Sequence, residues 1–222
     1  MKVHGLSIPF AVLAACLAAV PPAAAHRLDE YLQATRLSID IEHVDLEIDL
    51  TAGVAIASEV FAWIDTDQDR EISQAEGEAY ARQMLRSVVL SVDGKSLPIA
   101  LVETRFPQLS DMSLGIGTVR LRATAKVPAV GAGLHQVSYW NTHRPESSVY
   151  LVNALVPANP RIRLADQRRD YAQHRLTLNY TVMAEAPPAW SLPLLAGFAG
   201  LVLVGRLVSA GRWSLRGQRS TP

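Results

Sequence analysis

Leu37-Ser38-Ile39-Asp40-Ile41-Glu42 and, after His43, Val44-Asp45-Leu46-Glu47-Ile48-Asp49-Leu50 alternate apolar and polar side chains one by one. A period of two puts alternate side chains on opposite faces of a pleated chain, so this stretch reads as two strands with one buried and one wet face. The acidic row on the wet face attracts cations or simply keeps the face soluble; the pattern alone does not choose. Further strand candidates lie at 88–92, 98–103, 118–126, 134–140, 148–156 and 175–182, with Asp93-Gly94-Lys95 as a hairpin turn joining the first two of these. Short strands separated by Gly and Pro turns predict a mainly β (α+β) fold, an antiparallel β-sandwich.

Between the second and third strands the pattern changes. Ala57, Val60, Phe61 and Ile64 recur at helical spacing, and so do Tyr80, Ala81, Met84 and Leu85. The stretch between them is Asp65-Thr66-Asp67-Gln68-Asp69-Arg70-Glu71-Ile72-Ser73-Gln74-Ala75-Glu76. Calcium takes six to eight oxygens, and an EF-hand loop supplies them from positions 1, 3, 5, 7, 9 and 12. Those positions hold Asp65, Asp67, Asp69, the backbone carbonyl of Glu71, Ser73 (directly or through water) and Glu76 as the bidentate ligand. Ile72 is the apolar residue that pins such a loop to a core or a second loop. The prediction is a helix-loop-helix insert over 55–86 that binds Ca²⁺.

Two residues depart from the motif. Arg70 occupies the turn position where glycine is usual, and Gly77 stands where an apolar residue is expected. A side chain in the left-handed region costs on the order of 1 kcal/mol, and a cation beside the ion opposes its charge. The expected affinity therefore falls in the ~10⁻⁴ to 10⁻³ M class of extracellular modules.

The ends of the chain read as targeting segments. Lys2, the apolar stretch 6–20 and Ala23-Ala24-Ala25 form a signal peptide over 1–25, making His26 the mature N-terminus. Leu13-Ala14-Ala15-Cys16 offers a competing lipoprotein cleavage that would leave a lipidated Cys16. Cys16 is the only cysteine, so the exported domain has no disulfide on either reading. Residues 187–205 carry no charge, and at ~1.5 Å each they nearly match a ~30 Å bilayer core. The predicted transmembrane helix covers 187–210, and the tail 211–222 is basic and cytoplasmic under the positive-inside rule. Pro188 to Gly197 also has some likeness to a bacterial C-terminal sorting tail. The expectation is a single-pass inner-membrane protein with a periplasmic domain at 26–186.

Residues 26–188 contain all 21 acidic residues and 16 of the 21 basic ones, a net charge of −5 hidden by the neutral total. That balance disfavours nucleic acid and anionic lipid as partners. The chain contains no G-x-S-x-G elbow, phosphate-cradling glycine loop or H-E-x-x-H, so an enzyme is not expected.

His26-Arg27-Leu28-Asp29-Glu30-Tyr31-Leu32, the two alternating strands, the Asp-rich loop and Val92-Asp93-Gly94-Lys95 together resemble the exported N-terminal regions of bacterial membrane proteins similar to the HupE/UreJ and nickel/cobalt permease families. The resemblance covers about residues 26–105. Those families continue into several transmembrane helices with His-rich metal motifs, whereas one helix is predicted here, so transport is not carried over. What the resemblance implies is a periplasmic, membrane-attached accessory module near metal handling, with a membrane or periplasmic protein as partner. Two roles follow: a calcium-stabilised structural or partner-binding module, or an accessory for Cu, Ni or Co handling. The second would chelate metal through the amine and imidazole of His26, with His43, His135, His143 or His174 completing the site. Trp140, Asn141 and His143 form a polar-aromatic stretch that lines a ligand site or merely ends a strand.

Overall fold

The computed structural model describes residues 28–185. Ten strands, β1 (Tyr31–Ile39), β2 (His43–Ala52), β3 (Val88–Val92), β4 (Lys95–Ser96), β5 (Ile99–Arg105), β6 (Thr118–Lys126), β7 (Gly133–Asn141), β8 (Ser148–Ala154), β9 (Ile162–Arg169) and β10 (Arg175–Val182), build two sheets. Three helices accompany them: α1 (Ala57–Ala62), α2 (Gln74–Leu85) and α3 (Leu109–Ser113). All fall in the first of two compact units, which ends at Val182. The expected signal peptide at 1–25, Cys16, His26, the expected membrane span at 187–210 and the expected tail at 211–222 lie outside the described residues. Among the described residues no helix is long and apolar enough to cross a membrane.

The protein is mainly β. One sheet runs β5-β6-β2-β1-β8 and the other β4-β3-β7-β10-β9, and the inward residues of both join one hydrophobic core. β2 shows why: Val44, Leu46, Ile48 and Leu50 are at most 1 % exposed while the acids between them face out. Full burial of such side chains contributes roughly 1.5–3 kcal/mol each. Ladders are antiparallel except one, because β1 pairs with β8 in parallel, Tyr31 opposite Ser148 and Leu37 opposite Ala154. This corrects the wholly antiparallel expectation; alternation reports which face is buried, not the direction of a neighbour.

The hairpin expectation also changes. Asp93 and Gly94 both take positive φ, +50° and +76°, as a tight primed turn needs, but the returning strand is the two-residue β4. After Leu97, whose N–H still bonds the Leu90 carbonyl at 2.8 Å, the chain crosses to the other sheet and β5 pairs with β6. β9 and α3 were not expected at all. β9 buries only Ile162 in its eight residues, an edge strand with no apolar face to signal it.

The acidic row of β2 lies against arginines. Arg36 on β1 bonds Glu47 and Asp49 at 3.1 Å each, and Arg120 and Arg122 of β6 stand opposite Asp49 and Glu47 in register. Glu103 on β5 takes Arg105 at 2.7 Å and Arg122 at 3.4 Å. The outer face is a mixed-charge ladder, not a cation-attracting strip.

Candidate metal centre

The segment between β2 and β3 folds as helix, loop, helix. The eight apolar residues of the two flanks, from Ala57 to Leu85, are all buried. α2 begins with a capping box: Ser73 Oγ accepts the Glu76 N–H at 3.3 Å while Glu76 Oε2 accepts the Ser73 N–H at 3.0 Å. Ser73 and Glu76, loop positions 9 and 12, are thus fixed relative to each other by the start of the helix. The S-x-x-E spacing at 73–76 carried this signal in the sequence.

Asp65, Asp67 and Glu76 each bring a carboxylate oxygen within 4.8 Å of the others. Asp65 is only 5 % exposed. Its Oδ2 accepts the Arg70 N–H at 3.0 Å, while Oδ1 is buried with no hydrogen-bond partner. Asp67 Oδ1 accepts the Asp69 N–H at 3.2 Å, and Asp69 Oδ1 accepts the Glu71 N–H at 2.8 Å, so the loop's backbone curls around its own side chains. Asp69 and Glu71 are exposed and stand outside the close trio of oxygens. Arg70 sits at φ +72°, the left-handed turn that the motif demands, and Gln68 adds a second such residue at φ +64°.

Thr66, not singled out from the sequence, holds Glu76 across the loop: Oε1 accepts its N–H at 2.6 Å, its hydroxyl at 2.8 Å and the Asp67 N–H at 3.2 Å. Bonds from the side chain and backbone of Ser73, then from Thr66, hold the Glu76 carboxyl down at about 2. Asp67 moves the other way. Its bond from the Asp69 N–H lowers it, but desolvation and the charges of Asp69, Glu76 and Asp65 together leave it raised. Among the described residues no ion pair reaches these carboxylates, so the repulsion is uncompensated by protein charge.

Gly77 has a structural reason. A Cβ there would overlap the ring of Phe106, the residue after β5, which packs on α2 immediately beside Glu76. Ile72 packs against the core, and a cleft lined by Phe61, Ile72, Phe106 and Leu109 separates the loop from α3. The surface that would meet a second loop in a paired EF-hand lines this cleft, opposite the 106–113 segment.

The four described histidines are engaged elsewhere. His43 faces Asp45 at 3.4 Å, His135 faces Asp93 at 2.8 Å, His174 faces Asp170 at 2.9 Å, and His143 Nε2 meets the Tyr80 hydroxyl at 3.1 Å. Of the polar-aromatic stretch, Asn141 and His143 are buried in a hydrogen-bonded network, and Trp140 stays 39 % exposed under the Arg175 guanidinium. No protein-family model, no curated protein and no solved structure matches the chain.

Proposed function

We propose that this protein is a membrane-anchored periplasmic calcium-binding module: a β-sandwich carrying one EF-hand-like unit over 55–86, whose ion serves structure or partner binding rather than catalysis. The observation behind it is Asp65, a buried carboxylate with an oxygen that no donor satisfies, beside two further carboxylates whose repulsion a cation would relieve. Leaving a buried charged oxygen unpaired is costly, and proteins resolve such groups with a partner or a metal. All the donors are oxygens, which suits Ca²⁺ rather than Cu, Ni or Co. Ligands would be Asp65, Asp67, Asp69, the Glu71 carbonyl, Ser73 and Glu76. A single site with its exit helix already capped favours a stabilising ion over a signalling one. Export and anchoring are supported by the apolar stretches at 6–20 and 187–205 and the arginines beyond the second. The resemblance to the exported regions of HupE/UreJ and nickel/cobalt permease-like proteins supports a membrane or periplasmic protein as its partner.

Calorimetric titration of the full-length protein with calcium, beside copper and nickel, tests this. One saturable calcium site is expected; the absence of calcium binding, or tight copper or nickel binding in its place, overturns it.

A further inference from the structure

The acidic loop is flanked by two aromatic residues, Trp63 two positions before Asp65 and Tyr80 one helical turn after Glu76. Both meet the same dipeptide, 63 residues or more further along the chain in the β7–β8 connection. The Arg144 guanidinium lies 3.4 Å over the Trp63 ring, and His143 Nε2 is 3.1 Å from the Tyr80 hydroxyl. Tyr31 at the start of β1 closes the circuit, edge-on to Trp63 with ring centroids 6.1 Å apart and hydroxyl to hydroxyl with Tyr80 at 2.9 Å. Trp63, Tyr31, Tyr80, His143 and Arg144 thus form a closed ring of contacts that spans the two stems of the loop. The ring is anchored: the His143 carbonyl accepts Gln33 Nε2 and the Tyr150 hydroxyl at 2.8 Å each, and its N–H bonds Asn141 Oδ1 at 2.9 Å. Arg144 adopts φ +50°, a conformation that a non-glycine residue holds only where its surroundings fix it, and its buried Nε has no hydrogen-bond partner. Stacking on Trp63 and an interaction with the Tyr80 hydroxyl, not hydrogen bonding through Nε, keep the guanidinium there.

We propose that His143 and Arg144 are positioning residues of the acidic loop, setting the separation of its stems, so that calcium in the loop and the ordered 142–147 connection stabilise each other. This rests on the calcium-binding function proposed above. Electrostatics and positioning predict opposite signs for one substitution. Removing the positive charge of Arg144 favours a nearby cation on Coulombic grounds alone, whereas loss of the stem constraint weakens it. Coupling between sites is also reciprocal in binding free energy.

The experiment is calcium calorimetry on full-length wild type, Arg144→Gln, Arg144→Lys and Tyr80→Phe, below the melting temperature of each, with hydrogen exchange at 142–147 measured with and without calcium. Expected are one site throughout, affinity weakened about tenfold in both Arg144 variants, and exchange at 142–147 slowed by calcium in wild type. Equal or tighter binding by Arg144→Gln overturns the proposal. Should the Arg144 variants not fold, Tyr80→Phe, which deletes one oxygen, carries the test: weaker affinity is expected and unchanged affinity overturns it. Wild type that binds no calcium removes the proposed function and the inference together; wild type that binds while all variants match it removes the inference alone.

Discussion

The protein has two acidic regions that look alike as sequence and differ as structure. On the outer face of the first sheet, Glu47, Asp49 and Glu103 face Arg36, Arg105 and Arg122, charge against charge across neighbouring strands. In the 65–76 loop the carboxylates face one another, their donors are backbone N–H groups and two hydroxyls, and one buried oxygen has no donor. Carboxylate count is therefore no guide to surroundings; what separates the two regions is whether protein cations face the acids.

The largest expected effect falls on a residue outside both acidic regions. Burial, and then the charge of Arg144, hold the His143 imidazole down at about 4, against about 6.5 in an unfolded chain. The unfolded chain then binds the proton first, so His143 imposes no penalty above pH 6.5 and costs about 3 kcal/mol in all as pH falls toward 4. Glu76, held down at about 2 by Ser73 and then Thr66, stays ionised through that window. Melting curves at pH 7.5 and 5 should converge for His143→Gln and diverge for wild type; identical pH slopes would show that the network does not carry this loss. Next in size is Gly77→Ala. Its methyl meets Phe106, and overpacking of this kind costs about 2 kcal/mol. Chemical denaturation should show that loss, and Phe106→Leu in the same chain should restore part of it.

How much of this was legible differs by region for physical reasons. β2, β3, β6 and β10 were readable because one face is apolar and the other wet. The first half of β1 was not: its inward residues include Gln33 and Thr35, 1 % and 3 % exposed, which bond to the Asn141, His143 and Tyr139 network. A polar residue facing the core breaks the alternation that announces a strand, and only the partners 100 residues away make it tolerable. The helix-loop-helix was visible because the spacing of its carboxylates and its flanking periods are local. Its supports, Phe106, His143 and Arg144, arrive from distant segments, and no window of sequence contains both halves of such a contact. Gly77 was read as a departure from the motif and is the imprint of Phe106.

Two substitutions set loop against ladder directly. Glu76→Gln should abolish the calcium-dependent rise in melting temperature, which at tenfold excess over Kd corresponds to ~1.4 kcal/mol, while Asp49→Asn should leave it intact. Calorimetry in which both variants keep the shift, or both lose it, erases the distinction between the regions. Smaller still is Arg70→Gly. At φ +72° glycine relieves strain of about 1 kcal/mol and removes a cation from the loop, so calcium should bind roughly fivefold tighter; equal or weaker affinity would mean that the arginine side chain assists the loop.

The smallest effect falls on the ladder, and its size is the point. Arg36 and its partners Glu47 and Asp49 are 40 %, 45 % and 28 % exposed, so water screens the pairs and Arg36→Ala should cost under about 1 kcal/mol. In 1 M salt, where the screening length is about 3 Å, the difference from wild type should shrink toward zero. The same variant also probes whether the arginines are what silences this face. Without Arg36, Glu47 and Asp49 keep Arg122 and Arg120 across the β2–β6 ladder, so no calcium-dependent stabilisation should appear beyond that of the loop. A second calcium site in Arg36→Ala would show that a single guanidinium was all that separated the two regions.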